Sequence, residues 1–291
     1  MRGKIVFAGL ILALSATGLS AQQKAPTTTQ DDIYCSGVIT SESVPRDVYV
    51  ITGEGSNVKN TFVEGDYVYF NKGANQGVKV GDVYSVVRAI EDPTQIEWTK
   101  WQFSILKKLG TLWSDAGRLR VVVAQGDVSI AQIQNSCGYV QRGDIVLPFT
   151  ERPAPPLKSE NNFDRFAPPS GKPTAMVITG KYWAQESGTN STVYVNLGTN
   201  QGVRVGDYYR IYRYQGTEHE TAYQINRVAF EIEKDFGMAG YGSVPSKWNW
   251  GNVPREVLGE GVVVRTAPNA STMLITFSLR EVLSGDYVEL E

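Results

Sequence analysis

The 291-residue chain holds one histidine, His219, and two cysteines, Cys35 and Cys137. One imidazole cannot build a His-based zinc cluster, and two isolated cysteines fall short of the four ligands a structural zinc site wants. His219 has no cysteine or serine elbow near it, so triad logic fails. Neither cysteine has a histidine beside it, which argues against a thiol nucleophile. The glycines never follow the strand, loop and helix order of a phosphate loop with its Lys-Ser/Thr pair. Lys and Arg are not clustered, which excludes a nucleic-acid footprint. No cofactor or metal is expected, and no catalytic residue can be named.

Long apolar runs are also missing after the start. The opening MRGKIVFAGLILALSATGLSAQQ has a basic beginning, an apolar run from Ile5 to Leu14 and small residues up to Ala21. That order is the grammar of a cleaved signal peptide over residues 1–21. The run is short for a membrane span, which makes an uncleaved anchor the weaker alternative. No later stretch reaches about 18 apolar residues, so no transmembrane segment is expected in the mature chain. Cleavage would leave 26 basic against 30 acidic side chains. Residues 22–33, polar and loose, read as a flexible leader.

The remainder is rich in Val, Tyr and Gly and poor in long helix-forming runs, which favours β structure. VYFNKGANQGVKVGDVYSVVR, from Val68 to Arg88, returns as VYVNLGTNQGVRVGDYYRIYR, from Val193 to Arg213, with 13 identical positions. The alternation of Val68 and Phe70 with Tyr69, and of Val193 and Val195 with Tyr194, reads as a half-buried strand. Gly73, Gly77, Gly81 and Asp82, with Gly198, Gly202, Gly206 and Asp207 in the second copy, are turn residues. Val78 with Val80, and Val203 with Val205, are expected to share one face of a short strand, with Lys79 or Arg204 facing water.

Three further landmarks recur in order. GVITSE (37–42) is matched with MVITGK (176–181), GRLRVVVAQGDVSIAQI (117–133) with GEGVVVRTAPNASTMLI (259–275), and VQRGDIVLPF (140–149) with VLSGDYVELE (282–291). One domain, duplicated, follows. The expected architecture is all-β with minor α: two small barrel or sandwich domains, at 34–150 and 173–291. Between them residues 151–172 belong to a zone with seven prolines from Pro148 to Pro173, a semi-stiff linker.

Gly-Asp occurs at Asp66, Asp82, Asp127, Asp144, Asp207 and Asp286. Their scatter lacks calcium-loop spacing, and a local turn bond explains each one. Arg142-Gly143-Asp144 spells an adhesion tripeptide, but its counterpart Ser284-Gly285-Asp286 shares only the turn. Glu231, Glu233 and Asp235 could supply the carboxylate pair of a glycan hydrolase. Charges on one strand face more often form a solvated edge. In an exported chain an even cysteine count suggests a Cys35–Cys137 disulfide, the alternative being two buried thiols.

Six tryptophans are present. Trp98 and Trp101 lie in the region where the halves differ, as do Trp248 and Trp250. These four are the candidate partner-binding residues; the alternative is that they cover the open end of a barrel. Ile105, Leu106, Leu109 and Leu112 fit a short amphipathic helix.

The pattern NxGxxxGVxxGDxYxVxR, followed by a V-V-V strand, Ser129-Ile130-Ala131 and GDxV, resembles a small module of bacterial envelope proteins. It is similar to the C-terminal β module of flagellar assembly protein T and of LysM-containing envelope proteins. The resemblance implies a noncatalytic module used in assembly or anchoring. The expected function is thus a periplasmic or secreted adaptor that binds an envelope protein. The alternative is a module that binds peptidoglycan or exopolysaccharide.

Overall fold

The computed structural model describes residues 27–91, 96–158, 163–214 and 254–291. The signal-peptide residues therefore lie outside it, as do His219, Glu231, Glu233, Asp235, Trp248 and Trp250.

The protein is mostly β, in two regions of matching design. The first contains β1 (Val38–Thr40), β2 (Val50–Gly53), β3 (Thr61–Phe62), β4 (Tyr67–Phe70), β5 (Val83–Ile90), β6 (Thr111–Gln125), β7 (Val128–Ser136), β8 (Val140–Gln141) and β9 (Ile145–Pro148). Helices α1 (Gln30–Tyr34) and α2 (Gln102–Leu109) accompany them. The second contains β10 (Thr174–Gly180), β11 (Glu186–Ser187), β12 (Thr192–Val195), β13 (Tyr208–Arg213), β14 (Glu256–Thr266), β15 (Ser271–Ser278), β16 (Val282–Leu283) and β17 (Tyr287–Leu290).

All pairings are antiparallel. The second region is a closed six-stranded barrel in the order β10-β12-β15-β14-β13-β17. The first runs β2-β4-β7-β6-β5-β9. Its ends meet through the Tyr49–Ile145 bridge and the hydrogen bonds Val50 N–H to Asp144 O and Val146 N–H to Val48 O. Among the described residues, closure leaves neither six-strand ring with a free edge. Inward side chains fill each interior: Val50, Phe62, Val68, Phe70, Val86, Leu119 and Ile133 in the first, and Val177, Val193, Val195, Tyr209, Ile211, Val263 and Met273 in the second.

The duplication is confirmed in register, with one correction. In β2–β4 the partners are Val50–Phe70, Thr52–Tyr69 and Gly53–Val68, with an irregularity at Ile51. In β10–β12 they are Val177–Val195, Thr179–Tyr194 and Gly180–Val193, with the irregularity at Ile178. The counterpart of Val177–Gly180 is thus the second VITG, Val50–Gly53, rather than the VIT of Gly37–Glu42. The earlier VIT is β1, an added strand on Trp113–Thr111 of β6. Two near-identical tetrapeptides compete in sequence, and only hydrogen bonding separates them.

The repeated turn is built alike in both halves. Gln76 Oε1 accepts the Gly73 N–H at 2.8 Å, and Gln201 Oε1 accepts the Gly198 N–H at 2.9 Å. Gly77 and Gly202 both sit at φ 85°, the left-handed region that glycine enters without a Cβ penalty. Asp82 and Asp207 then accept the N–H of Lys79 and Arg204. Here the expectation of a short strand is overturned. Val78 is buried but Val80 is 68% exposed, because residues 78–82 form a carboxylate-closed turn and the alternation of a strand never starts.

The leader expectation also changes over its described part. Thr29 and Asp32 form a capping box at the start of α1, Ile33 is buried, and Thr28 N–H bonds Pro155 O. Polar residues that read as loose are here caps. Cys35 and Cys137 form the disulfide, tying α1 to the end of β7. The linker lies against the second barrel: Ala167 is buried, Arg165 pairs with Glu256, and Ser170 N–H bonds Glu289.

Candidate interaction surface

The two barrels are joined by two parts that flank the strands of the first. The segment after Cys35 runs between them as a strap. Its Ser36 carbonyl accepts the Tyr194 hydroxyl at 3.0 Å, and its Gly37 carbonyl accepts the Thr272 hydroxyl at 2.9 Å. The Gly37 N–H goes to Asp115 at 2.8 Å. Buried Asp115 also receives Arg152 of the linker and Arg265 of β14. A buried carboxylate needs such partners, and here one partner comes from each side of the seam. Burial, with Asp115 adding to it, pushes the Tyr194 hydroxyl well above the usual tyrosine value.

The second joint is α2. The expected amphipathic helix exists, though Leu112 belongs to β6. Ile105, Leu106 and Leu109 turn inward onto Ile178, Tyr194 and Ala270 of the second barrel. The buried Gln102 amide donates to Ile178 O at 2.6 Å, while its oxygen accepts the Trp98 N–H at 2.8 Å. One side chain thus fixes both the loop before the helix and the neighbouring barrel. Satisfied at both ends, it meets the usual demand on a buried amide.

Trp101 stands at the N-terminus of this helix, 64% exposed, at φ 71°. A bulky residue in the left-handed region costs about 1–3 kcal/mol and persists only where its surroundings hold it. Lys100 lies over its ring at 5.7 Å. Trp98 is half-buried, with its backbone held by Gln102. Of the four expected contact residues, the structure presents Trp101 and partly withdraws Trp98; Trp248 and Trp250 fall outside the described residues. Trp113 is buried beneath Arg46. Trp183 packs on the α2 cluster.

A polar cleft of about 400 Å³ opens beside the disulfide. Asp31, Asp32, Lys181, Glu186 and Asn190 line it, with both cysteines on its wall. The exposed Tyr182 donates to the carbonyl of Cys137, one of the lining residues, at 2.8 Å. Among the described residues no three His, Cys, Asp or Glu side chains converge to hold a metal ion.

The Gly-Asp carboxylates are occupied with structure. Asp66, Asp82, Asp144, Asp207 and Asp286 each accept a backbone N–H three residues earlier. Asp127 instead receives the side chains of Asn75 and Gln76. Asp144 is also gripped by Arg88, and Asp286 by Arg213. The adhesion-like tripeptide therefore presents no free carboxylate. Sequence reasoning missed both arginine pairs, although Arg88 and Arg213 close the repeated motif. No family model matches the chain, and no curated protein matches it.

Proposed function

We propose that this protein is an exported, noncatalytic adaptor that binds a protein partner of the cell envelope through the β5–β6 connection. One observation carries the reading. The repeated positions are spent on barrels and turns, whereas residues 91–110, which have no match in the other half, hold Trp101 exposed on a braced helix. The same connection in the second copy, residues 214–255, carries Trp248 and Trp250. Aromatic side chains on rigid supports are the usual anchors of protein interfaces. The disulfide fits an oxidising compartment. Among the described residues no helix is long and apolar enough to cross a membrane. The resemblance to envelope assembly modules points the same way.

A photo-crosslinking residue at position 101, activated in cells, tests this. One protein joined in fixed stoichiometry, and absent when the probe sits at Val58, is the expected result. Label carried into peptidoglycan or polysaccharide instead would favour the glycan-binding alternative, which the polar cleft beside the disulfide supports. Label in neither fraction refutes the adaptor reading.

A further inference from the structure

Where the barrels meet, the charges of one trio do not balance. Asp115 is shared by two guanidinium groups, Arg152 of the linker and Arg265 of β14. One positive charge is left over. Burial pushes Arg265 below the ordinary arginine value; Asp115 works the other way, and Arg152 beside it takes part of that effect back. Arg88, Arg213 and Arg255 are shifted upward instead, and each grips a carboxylate with two nitrogens.

Geometry gives the reason. Arg265 uses Nη1 alone on Asp115, at 3.3 and 3.4 Å. Among the described residues nothing accepts from its Nε or Nη2. That is the edge by which Arg88 holds Asp144 and Arg213 holds Asp286. Such an edge takes a carboxylate in two parallel hydrogen bonds.

Arg265, with 25% of its side chain exposed, also lines a cavity of about 190 Å³ between the barrels. The other walls are largely apolar. Val38, Val87, Trp113 and Leu147 come from the first half, Ala267 from the second, and Val44 from the loop between β1 and β2. These side chains pack as one cluster. Glu42 also lines the cavity, but it is exposed, where water weakens its repulsion of an anion. An apolar cavity of about 150 Å³ holds a benzene ring. Apolar walls with a few convergent polar groups, at a junction of domains, are the form that small-ligand sites take.

We propose that this cavity binds a carboxylate bearing one apolar group of about phenyl size, the apolar group against Trp113 and the carboxylate on the open edge of Arg265. The ligand supplies the second anion that the two guanidinium groups lack. A free aryl or alkyl acid has this chemistry, and so has the C-terminal residue of a polypeptide. The proposal does not rest on the role assigned to Trp101.

The test is a titration of the mature protein followed by proton–nitrogen NMR at the Trp113 indole and the Arg265 Nε–H. Phenylacetate is expected to move both resonances to saturation. Phenylacetamide lacks the charge and acetate lacks the ring, so each should bind about tenfold more weakly or worse. That comparison uses the natural chain and needs no variant to fold. Arg265→Gln should weaken phenylacetate about tenfold or more. Ala267→Leu keeps every charge but fills the cavity, and should abolish binding. Gly-Gly-Phe and its C-terminal amide separate the two sources. Binding of the free-ended peptide without the amide assigns a chain terminus; binding of phenylacetate with exclusion of the peptide assigns a free acid. Absence of saturable shifts with every acid overturns the proposal. So does equal binding of phenylacetate and phenylacetamide, or phenylacetate binding that neither Arg265→Gln nor Ala267→Leu changes.

Discussion

Asp286→Asn removes one charge and leaves the shape of the side chain. In the folded protein both oxygens of Asp286 face Arg213, at 2.6 and 2.8 Å, and one also accepts the Leu283 N–H at 2.7 Å. The carboxylate is fully covered and the guanidinium only 10% exposed. Burial works against the charge on Arg213, but Asp286 more than offsets it and holds the guanidinium firmly protonated. Substitution leaves that cation buried beside Glu281, whose carbonyl lies at 3.2 Å and whose carboxylate at 3.6 Å. Breaking a buried pair from one side costs about 3–5 kcal/mol. The first barrel contains an internal control. Asp144 meets Arg88 at 2.7 and 2.8 Å, but Arg88 is 21% exposed, so water can solvate the orphaned charge. Asp144→Asn should then cost about 3 kcal/mol or less. Urea unfolding followed by tryptophan fluorescence and circular dichroism measures both. A double change, Arg213→Met with Asp286→Leu, should recover much of the loss, since an apolar pair of similar volume needs no desolvation. If Asp286→Asn unfolds within about 0.5 kcal/mol of the natural protein, or if Asp144→Asn costs more, the assignment of these pairs as barrel locks is wrong.

Two further outcomes are expected. Reducing the disulfide, or replacing both cysteines by Ala, should lower stability by about 4–5 kcal/mol, the chain-entropy value for a loop near 100 residues; the ends here are 102 apart. Amide exchange at Ile39 should accelerate with it, and unchanged exchange would mean the strap holds without its covalent tie. Glu289 gives a pH signature. Burial alone would raise its pKa, but Arg255, the Ser170 N–H and Arg210 together lower it below the ordinary 4.5. A depressed folded pKa gives stability that is complete above the unfolded value and is lost as pH falls through the folded one. The acid limb of a stability profile should therefore flatten below about pH 4.5 in Glu289→Gln, and an identical limb would refute the role.

What could be read from sequence was what is local. Asn-Gln-Gly and Gly-Asp state their turns in adjacent residues, so the repeated path was legible down to its capping groups. The disulfide followed from compartment and count. The strand preceding the motif was misassigned because VIT occurs twice before it, and periodicity cannot say which copy completes a barrel. Val80 misled because alternation over three residues resembles a strand whether or not a partner strand is there. The docking of the barrels had no local signal at all. Tyr69 and Tyr194 hold the same place in the repeat, yet one faces outward and the other lies beneath Ser36. The difference comes from the strap and α2, whose partners stand far away along the chain. The candidate site was legible as a place of divergence and aromatic density, but which tryptophan faces outward depended on a helix cap at φ 71°.

The strap also sets an order of assembly. Gly37 is made early, and the Thr272 hydroxyl that completes its hydrogen bonding comes 235 residues later. Each barrel can close on contacts within its own half, but the first must wait with Ile39 and the inner face of α2 uncovered until β15 of the second has formed. Contacts so distant along the chain form slowly and leave apolar surface open in the interval. During that wait the half-made molecule exposes, on the strap side, the face that later receives the second barrel. A chain folding beside its own copies therefore has a choice between docking within and docking between molecules, and the Cys35–Cys137 bond, by holding the strap to the first barrel, biases it toward the former.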